Sequence, residues 1–220
     1  MANRVTLYID GGNFYHLALK KMGVQEPAFD FEQFAHFLAD GRGIAPMGKR
    51  FYTGTVRERA GDPRTVEAMS RQNKLFSALI ANQWELKTSK LRERKEAITI
   101  DTRVADYKKL QKMGVREITF TRNREKGIDV KIVTDLLIGA MDDKYDTAII
   151  VSSDTDLIPA IDSVRYRFKK KVEYVGFSIE DKMDNENSSR PTLGLTARTD
   201  KQRILVESDL APFIKTENQD

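Results

Sequence analysis

Thr147-Ala148-Ile149-Ile150-Val151-Ser152-Ser153-Asp154-Thr155-Asp156 is the stretch that decides the fold. Residues 147–151 form an unbroken, largely apolar run, as expected of a central strand in a parallel sheet, buried on both faces. The polar residues after it supply a helix cap, and a helix is expected from Leu157 to Phe168, with Pro159 tolerated in its first turn. Lys171 to Phe177 makes the next strand. Upstream, Val130, Ile132, Val133, Leu136, Leu137 and Ala140 give an apolar helical stripe, so a helix opens at Asp129 and ends near Met141.

The alternation continues back to the start. Val5 to Ile9 reads as a buried strand, ended by the turn Asp10-Gly11-Gly12-Asn13 and followed by a helix from Phe14 to Met22 that Gly23 closes. Phe29 to Leu38 and Thr65 to Asn82 read as helices, and Lys49 to Val56 and Trp84 to Leu91 as strands. From Arg92 to Gly127 the pattern weakens: Val104 to Met113 has helical periodicity, and Arg116 to Thr121 alternates like a strand. Ile204 to Ile214 supplies a closing element. The expected fold class is α/β, a doubly wound, mainly parallel sheet flanked by helices. One domain is expected over residues 1–215, with a basic insertion at about 87–126 and a polar loop at about 179–200.

Composition narrows the chemistry. There are no cysteines, which removes disulfides, thiolate metal sites and cysteine nucleophiles. No run of ~18 apolar residues is present, so no membrane span is expected. The opening MANRVTLYID lacks the pattern of a secretory signal, and a cytoplasmic protein is the expectation. Lys87 to Lys126 holds 13 Lys/Arg against 6 Asp/Glu, a local excess of +7 that leaves −3 for the rest of a chain of net charge +4. Such asymmetry suits a phosphate-binding surface. Lys87, Lys90, Arg92, Arg94, Arg122 and Arg124 are therefore candidate substrate contacts, with a solvated helical face as the plain alternative. A second cluster, Arg165, Arg167, Lys169, Lys170 and Lys171, is carried by its helix to the far end of the sheet and reads as solvated surface.

In open parallel sheets ligands bind beyond the carboxyl ends of the strands. Two of the strongest strands deliver aspartates there: Ile9 leads to Asp10, and Val151 to Asp154 and Asp156. Asp129 lies at a helix start after the Lys126-Gly127 turn, and local sequence does not bring it to the others. Carboxylates clustered without histidine or cysteine suit a hard cation, Mg2+ or Mn2+, bound through oxygen. Such an ion activates water for displacement at phosphorus, and without it the carboxylates repel one another or take up protons. Each residue also has a structural reading: Asp10 as a turn residue, Asp129 and Asp154 as helix caps, Asp156 as a partner of a helix dipole, Asn13 as a turn or cap.

Three segments together resemble the NYN family (LabA-like proteins) of PIN-like nucleases: YIDGGNFY at 8–15, the long run from Lys126 to Phe177 (KGIDVKIVTDLLIGAMDDKYDTAIIVSSDTDLIPAIDSVRYRFKKKVEYVGF), and ILVESDLAPFI at 204–214. The resemblance implies a Rossmann-like three-layer sandwich with an acidic pocket at its carboxyl edge, in which Asp129 joins the others. It implies that Asp10, Asp129, Asp154 and Asp156 hold the metal and that Asn13 orients a water or phosphate. Lys131 matches a family lysine, placed to neutralise phosphate or buttress the aspartates. Asp135 matches a recurring acid but sits about 240° around the helix from Asp129, so the two do not face one pocket. Two features depart from the family: Ser153 stands where glycine is common, and the 87–126 connection is longer than usual.

The function implied is a metal-dependent ribonuclease. Its rival is a non-catalytic RNA-binding or scaffold protein of the same fold, against which the intact aspartates argue. A nucleotide-sugar transferase built on Asp154-Thr155-Asp156 leaves Asp10 and Asn13 unexplained. A phosphatase with Asp10 as nucleophile wants an acid where Gly12 stands, and the first turn lacks the G-x-G-x-x-G of dinucleotide enzymes. RNA is the expected partner, with self-association left open.

Overall fold

Six parallel strands form the central sheet. A computed structural model of the chain describes residues 3–56, 62–90, 92–124, 127–181 and 187–215, with backbone alone at 92–93 and 122–124. The strands are β1 (Arg4–Asp10), β2 (Gly43–Thr55), β3 (Glu85–Lys90), β6 (Thr147–Val151), β7 (Lys171–Phe177) and β8 (Lys201–Leu205). The chain winds outward from β1 through β2 to β3, then returns to β6 on the other side of β1 and winds outward again to β8. The reversal between β1 and β6 is the switch point at which doubly wound sheets open a crevice.

Alternation along the strands splits the core between the two faces. Val5, Leu7 and Ile9 of β1, Ile149 and Val151 of β6, and Val175 and Phe177 of β7 point to one face. There they meet α1 (Gly11–Phe14), α2 (Phe31–Ala39), α3 (Pro63–Ala81) and Phe213. Tyr8, Ala148, Ile150, Val172 and Tyr174 point to the other face, against α5 (Ile128–Met141), α6 (Ile158–Asp162) and α7 (Leu193–Arg198). The result is an α/β three-layer sandwich, as the alternation of apolar runs and helical stripes requires.

Four segments differ from expectation. The first helix opens at Gly11 rather than Phe14 and continues as a wide π turn over Tyr15–Leu19. The helix expected over 157–168 is a 3-10 turn at Thr155–Leu157, then α6, then a π turn at Ser163–Arg167. Within the weakly patterned stretch, β4 (Arg92–Thr99) and β5 (Glu117–Arg124) pair as a separate antiparallel ribbon, with α4 (Tyr107–Lys112) between them. The stretch expected as a polar loop contains α7, while 182–186 lie outside the described residues. α8 (Glu207–Leu210) follows β8 where a closing element was expected. No described helix is long and apolar enough to cross a membrane.

Candidate active site

β1 and β6 lie side by side in parallel register, Ile9 opposite Val151, so the residues that follow them emerge together at the carboxyl edge. Asp10 is the last residue of β1 and is nearly buried at 8% exposure. Its Oδ1 accepts from the Asn13 backbone N–H at 2.9 Å and caps α1. A Cβ on Gly11 would lie 2.4 Å from the Phe51 ring, so the chain can turn this closely after Asp10 only at glycine. The turn reading of Asp10 is thus correct for one oxygen. Its Oδ2 faces the fully buried Ser152, whose Oγ lies 3.4 Å away and also accepts from the Asp154 N–H at 3.2 Å.

The 152–156 loop is built by similar local bonds. Asp154 caps the 3-10 turn, its Oδ1 accepting from the Asp156 N–H at 2.8 Å. Asp154 is half-buried and Asp156 exposed. Asn13 reaches across from α1, its Oδ1 accepting from the Ser153 N–H at 3.0 Å. That bond fixes the amide's orientation and makes Asn13 a strut between the two loops. The Ser153 Oγ lies 3.2 Å from the Tyr174 hydroxyl, and the Ser153 carbonyl accepts from Thr192 Oγ1 at 3.0 Å.

Asp129 arrives from α5. A helix joining parallel strands must run antiparallel to them, so its first turn lies at the carboxyl edge. Gly127, at φ 87°, caps α5 in a left-handed conformation, and Asp129 is its second residue rather than its cap. The capping alternative is therefore removed. Burial, then the negative charges of Asp154 and Asp156, push the Asp129 carboxyl above the ordinary carboxylate range. Among the described residues no three such groups stand close enough together to hold one ion. The donor set is nonetheless all carboxylate oxygen, and its mutual repulsion is what a hard cation relieves.

The basic candidates divide. Lys131 is exposed and turned away from Asp129, its Nζ donating to the Thr88 carbonyl at 2.5 Å. Lys87 is partnered in the folded chain, its Nζ lying 2.7 Å from Glu85 and 3.6 Å from Asp135. These residues and Arg50 line a groove of about 540 Å³ between α5, β2 and β3, to which none of the four aspartates contributes. Asp135 belongs there, accepting from the Tyr52 hydroxyl at 2.8 Å, in agreement with its angular offset from Asp129. Lys90 and Arg94 are exposed. Arg92, Arg122 and Arg124 are placed by backbone register in the ribbon, and Lys126 lies outside the described residues. Ser152 is the contact that sequence reading missed, since a serine between a strand and a turn carries no distinguishing pattern.

The NYN domain model matches residues 4–192, which spans the sheet from β1 through β7 and all four aspartates. The chain belongs to the NYN domain family. NYN domains form part of the PIN-like superfamily, whose members are typically nucleases acting on RNA with divalent metal ions. This NYN chain is also similar to the crystal structure of a protein of unknown function from Vibrio parahaemolyticus, at 18% identity and a TM-score of 0.51, over 94% of each chain. That likeness concerns the fold alone. No curated protein matches the sequence.

Proposed function

We propose that this NYN protein is a metal-dependent ribonuclease of LabA-like type, hydrolysing RNA phosphodiester bonds at the edge where β1, β6 and α5 meet. The observation that carries the reading is the meeting of the ends of β1 and β6 and the start of α5 at one sheet edge, with Asp10 tied to Asp154 through Ser152. Folding gains nothing from pressing these carboxylates together. A cation and a phosphate give the arrangement a use.

Asp10, Asp129, Asp154 and Asp156 would hold Mg2+ or Mn2+. Bound there, the ion would lower the proton affinity of a water and offset charge on the phosphate during in-line displacement. Asn13 keeps the Asp10 and Asp154 loops at a fixed separation through Ser153. Lys90, Arg92, Arg94, Arg122 and Arg124 would draw the phosphate backbone toward this edge.

The test is incubation with single-stranded and structured RNA in Mg2+, Mn2+ or EDTA, beside an Asp154→Asn variant. Cleavage should require metal and fall by about 100-fold or more in the variant, since even residues supporting a ligand cost 10–100-fold. If both proteins bind RNA equally and neither cuts it, the non-catalytic scaffold reading replaces this one.

A further inference from the structure

The β4–β5 ribbon is the feature the acidic edge leaves unexplained. Residues 92–124 carry ten Lys/Arg against five Asp/Glu. Register sets Arg92 opposite Arg124 and Arg94 opposite Arg122. Successive residues alternate between faces, so these four arginine positions fall on one face of the ribbon. Like charges directly opposite one another destabilise an antiparallel pair. A run of basic positions along one face of the ribbon suits a polyanion. Lys95, Lys108, Lys109, Lys112 and Arg116 lie exposed along the same arm.

Position and shape say which polyanion. The ribbon joins neither edge of the main sheet. β3 ends at Lys90 just before it, and α5, with Asp129 as its second residue, begins soon after it. The arginine pairs thus stand at the root of the arm, at the end of the ribbon that connects to β3 and to α5. Eight-residue strands at about 3.3 Å per residue make an arm of about 26 Å, which spans about eight base pairs at ~3.4 Å each. Its aromatic side chains number two, Tyr107 and Phe120. Readers of single strands depend on stacking platforms, while duplex RNA is held through phosphates and shape.

We propose that the β4–β5 ribbon grips the phosphate backbones of base-paired nucleic acid and holds the duplex beside Asp129. The proposal rests on the nuclease reading and names the part of the substrate that the ribbon contacts.

Binding is measured by fluorescence anisotropy in the Asp154→Asn background, so that nothing is cut. The probes are a 16-base-pair RNA duplex, a DNA duplex of equal length and the single strands. Arg94→Gln/Arg122→Gln should weaken duplex binding about tenfold or more and reduce the salt slope by about 1.8, at ~0.9 per lost phosphate contact. Single-strand binding should change less. Arg94→Lys/Arg122→Lys should restore duplex binding, and a control at Lys20→Gln/Lys169→Gln should bind as the parent does. Because the glutamines relieve opposed charge, the melting temperature should hold or rise, which separates lost binding from lost folding. Comparison of the two duplexes assigns the source of the phosphates.

Undiminished duplex binding, or an equal loss for duplex and single strand, overturns the proposal. So does an arm that drives concentration-dependent self-association without binding duplex. None of these touches the nuclease reading if the parent enzyme still cuts RNA with metal. Conversely, duplex binding through the ribbon with no cleavage defeats the nuclease reading and leaves the ribbon's role standing.

Discussion

The side-chain oxygen of Asn13 accepts the backbone N–H of Ser153 at 3.0 Å, joining the turn after β1 to the turn after β6. These turns carry Asp10 and Asp154, so the bond sets the spacing of two proposed metal ligands from neighbouring strands. Asn13→Ala should lower stability by about 1 kcal/mol, the net worth of one such bond. Cleavage should fall roughly 10–100-fold, with partial recovery at higher metal concentration. A loss of melting temperature with unchanged cleavage would reduce Asn13 to a structural role.

Ser152 makes the complementary link from beneath. It is 1% exposed, and its hydroxyl stands between Asp10 Oδ2 and the Asp154 N–H. Ser152→Ala removes the acceptor from that N–H without leaving room for water to replace it. Urea denaturation should show a loss of about 1–3 kcal/mol. Cleavage should decline with it, because both ligand loops lose the same support.

The edge carrying Asp10, Asp154 and Asp156 was legible because uninterrupted apolar runs end in acids. Asp129 was not legible from its own neighbours, since its place depends on the direction of α5, a property of the crossover. The family resemblance supplied that step. β4 is not legible because RERKEAIT lies outside the main sheet, and among its described side chains, those of residues 94–99, none is buried. β8, KQRIL, is an edge strand with Leu205 as its one buried residue, so its start at Lys201 left little apolar trace. α7 buries Leu195 alone among its six residues.

Phe14 anchors the other end of the Asp10–Asn13 turn. Its ring centroid lies 5.2 Å from those of Phe29 and Phe177 and 5.5 Å from that of Phe34, and it is 1% exposed. Phe14→Ala should cost about 3–5 kcal/mol, combining lost burial with the cavity left behind. Calorimetry checks the magnitude. Retention of full stability would mean that the turn holds its place without this cluster.

Glu26 gives the fold a pH dependence remote from the acidic edge. Burial pushes its carboxyl up to about 7. A carboxyl with a higher pKa in the folded state than in the unfolded chain favours folding while protonated. Its stabilising contribution is present below the unfolded value, near 4.3, and is lost as pH rises to about 7. Glu26→Gln should flatten the melting-temperature profile over that window. A parallel decline in both proteins would assign the effect to another group.

Lys87 and Lys90 lie on the same strand, three residues apart, and should behave differently. Lys87 is half-buried between Glu85 and Asp135, whereas Lys90 is exposed at the strand's carboxyl end. Lys87→Ala removes a cation that screens two carboxylates from each other, so its main effect should be a lower melting temperature. RNA affinity and its salt dependence should stay near those of the parent. Lys90→Ala should leave stability unchanged and reduce the salt slope of RNA binding by about 1, as expected for one phosphate contact. If Lys87→Ala reduces the slope by a similar amount, its ammonium leaves Glu85 when RNA binds, and the groove beside α5 becomes part of the RNA path.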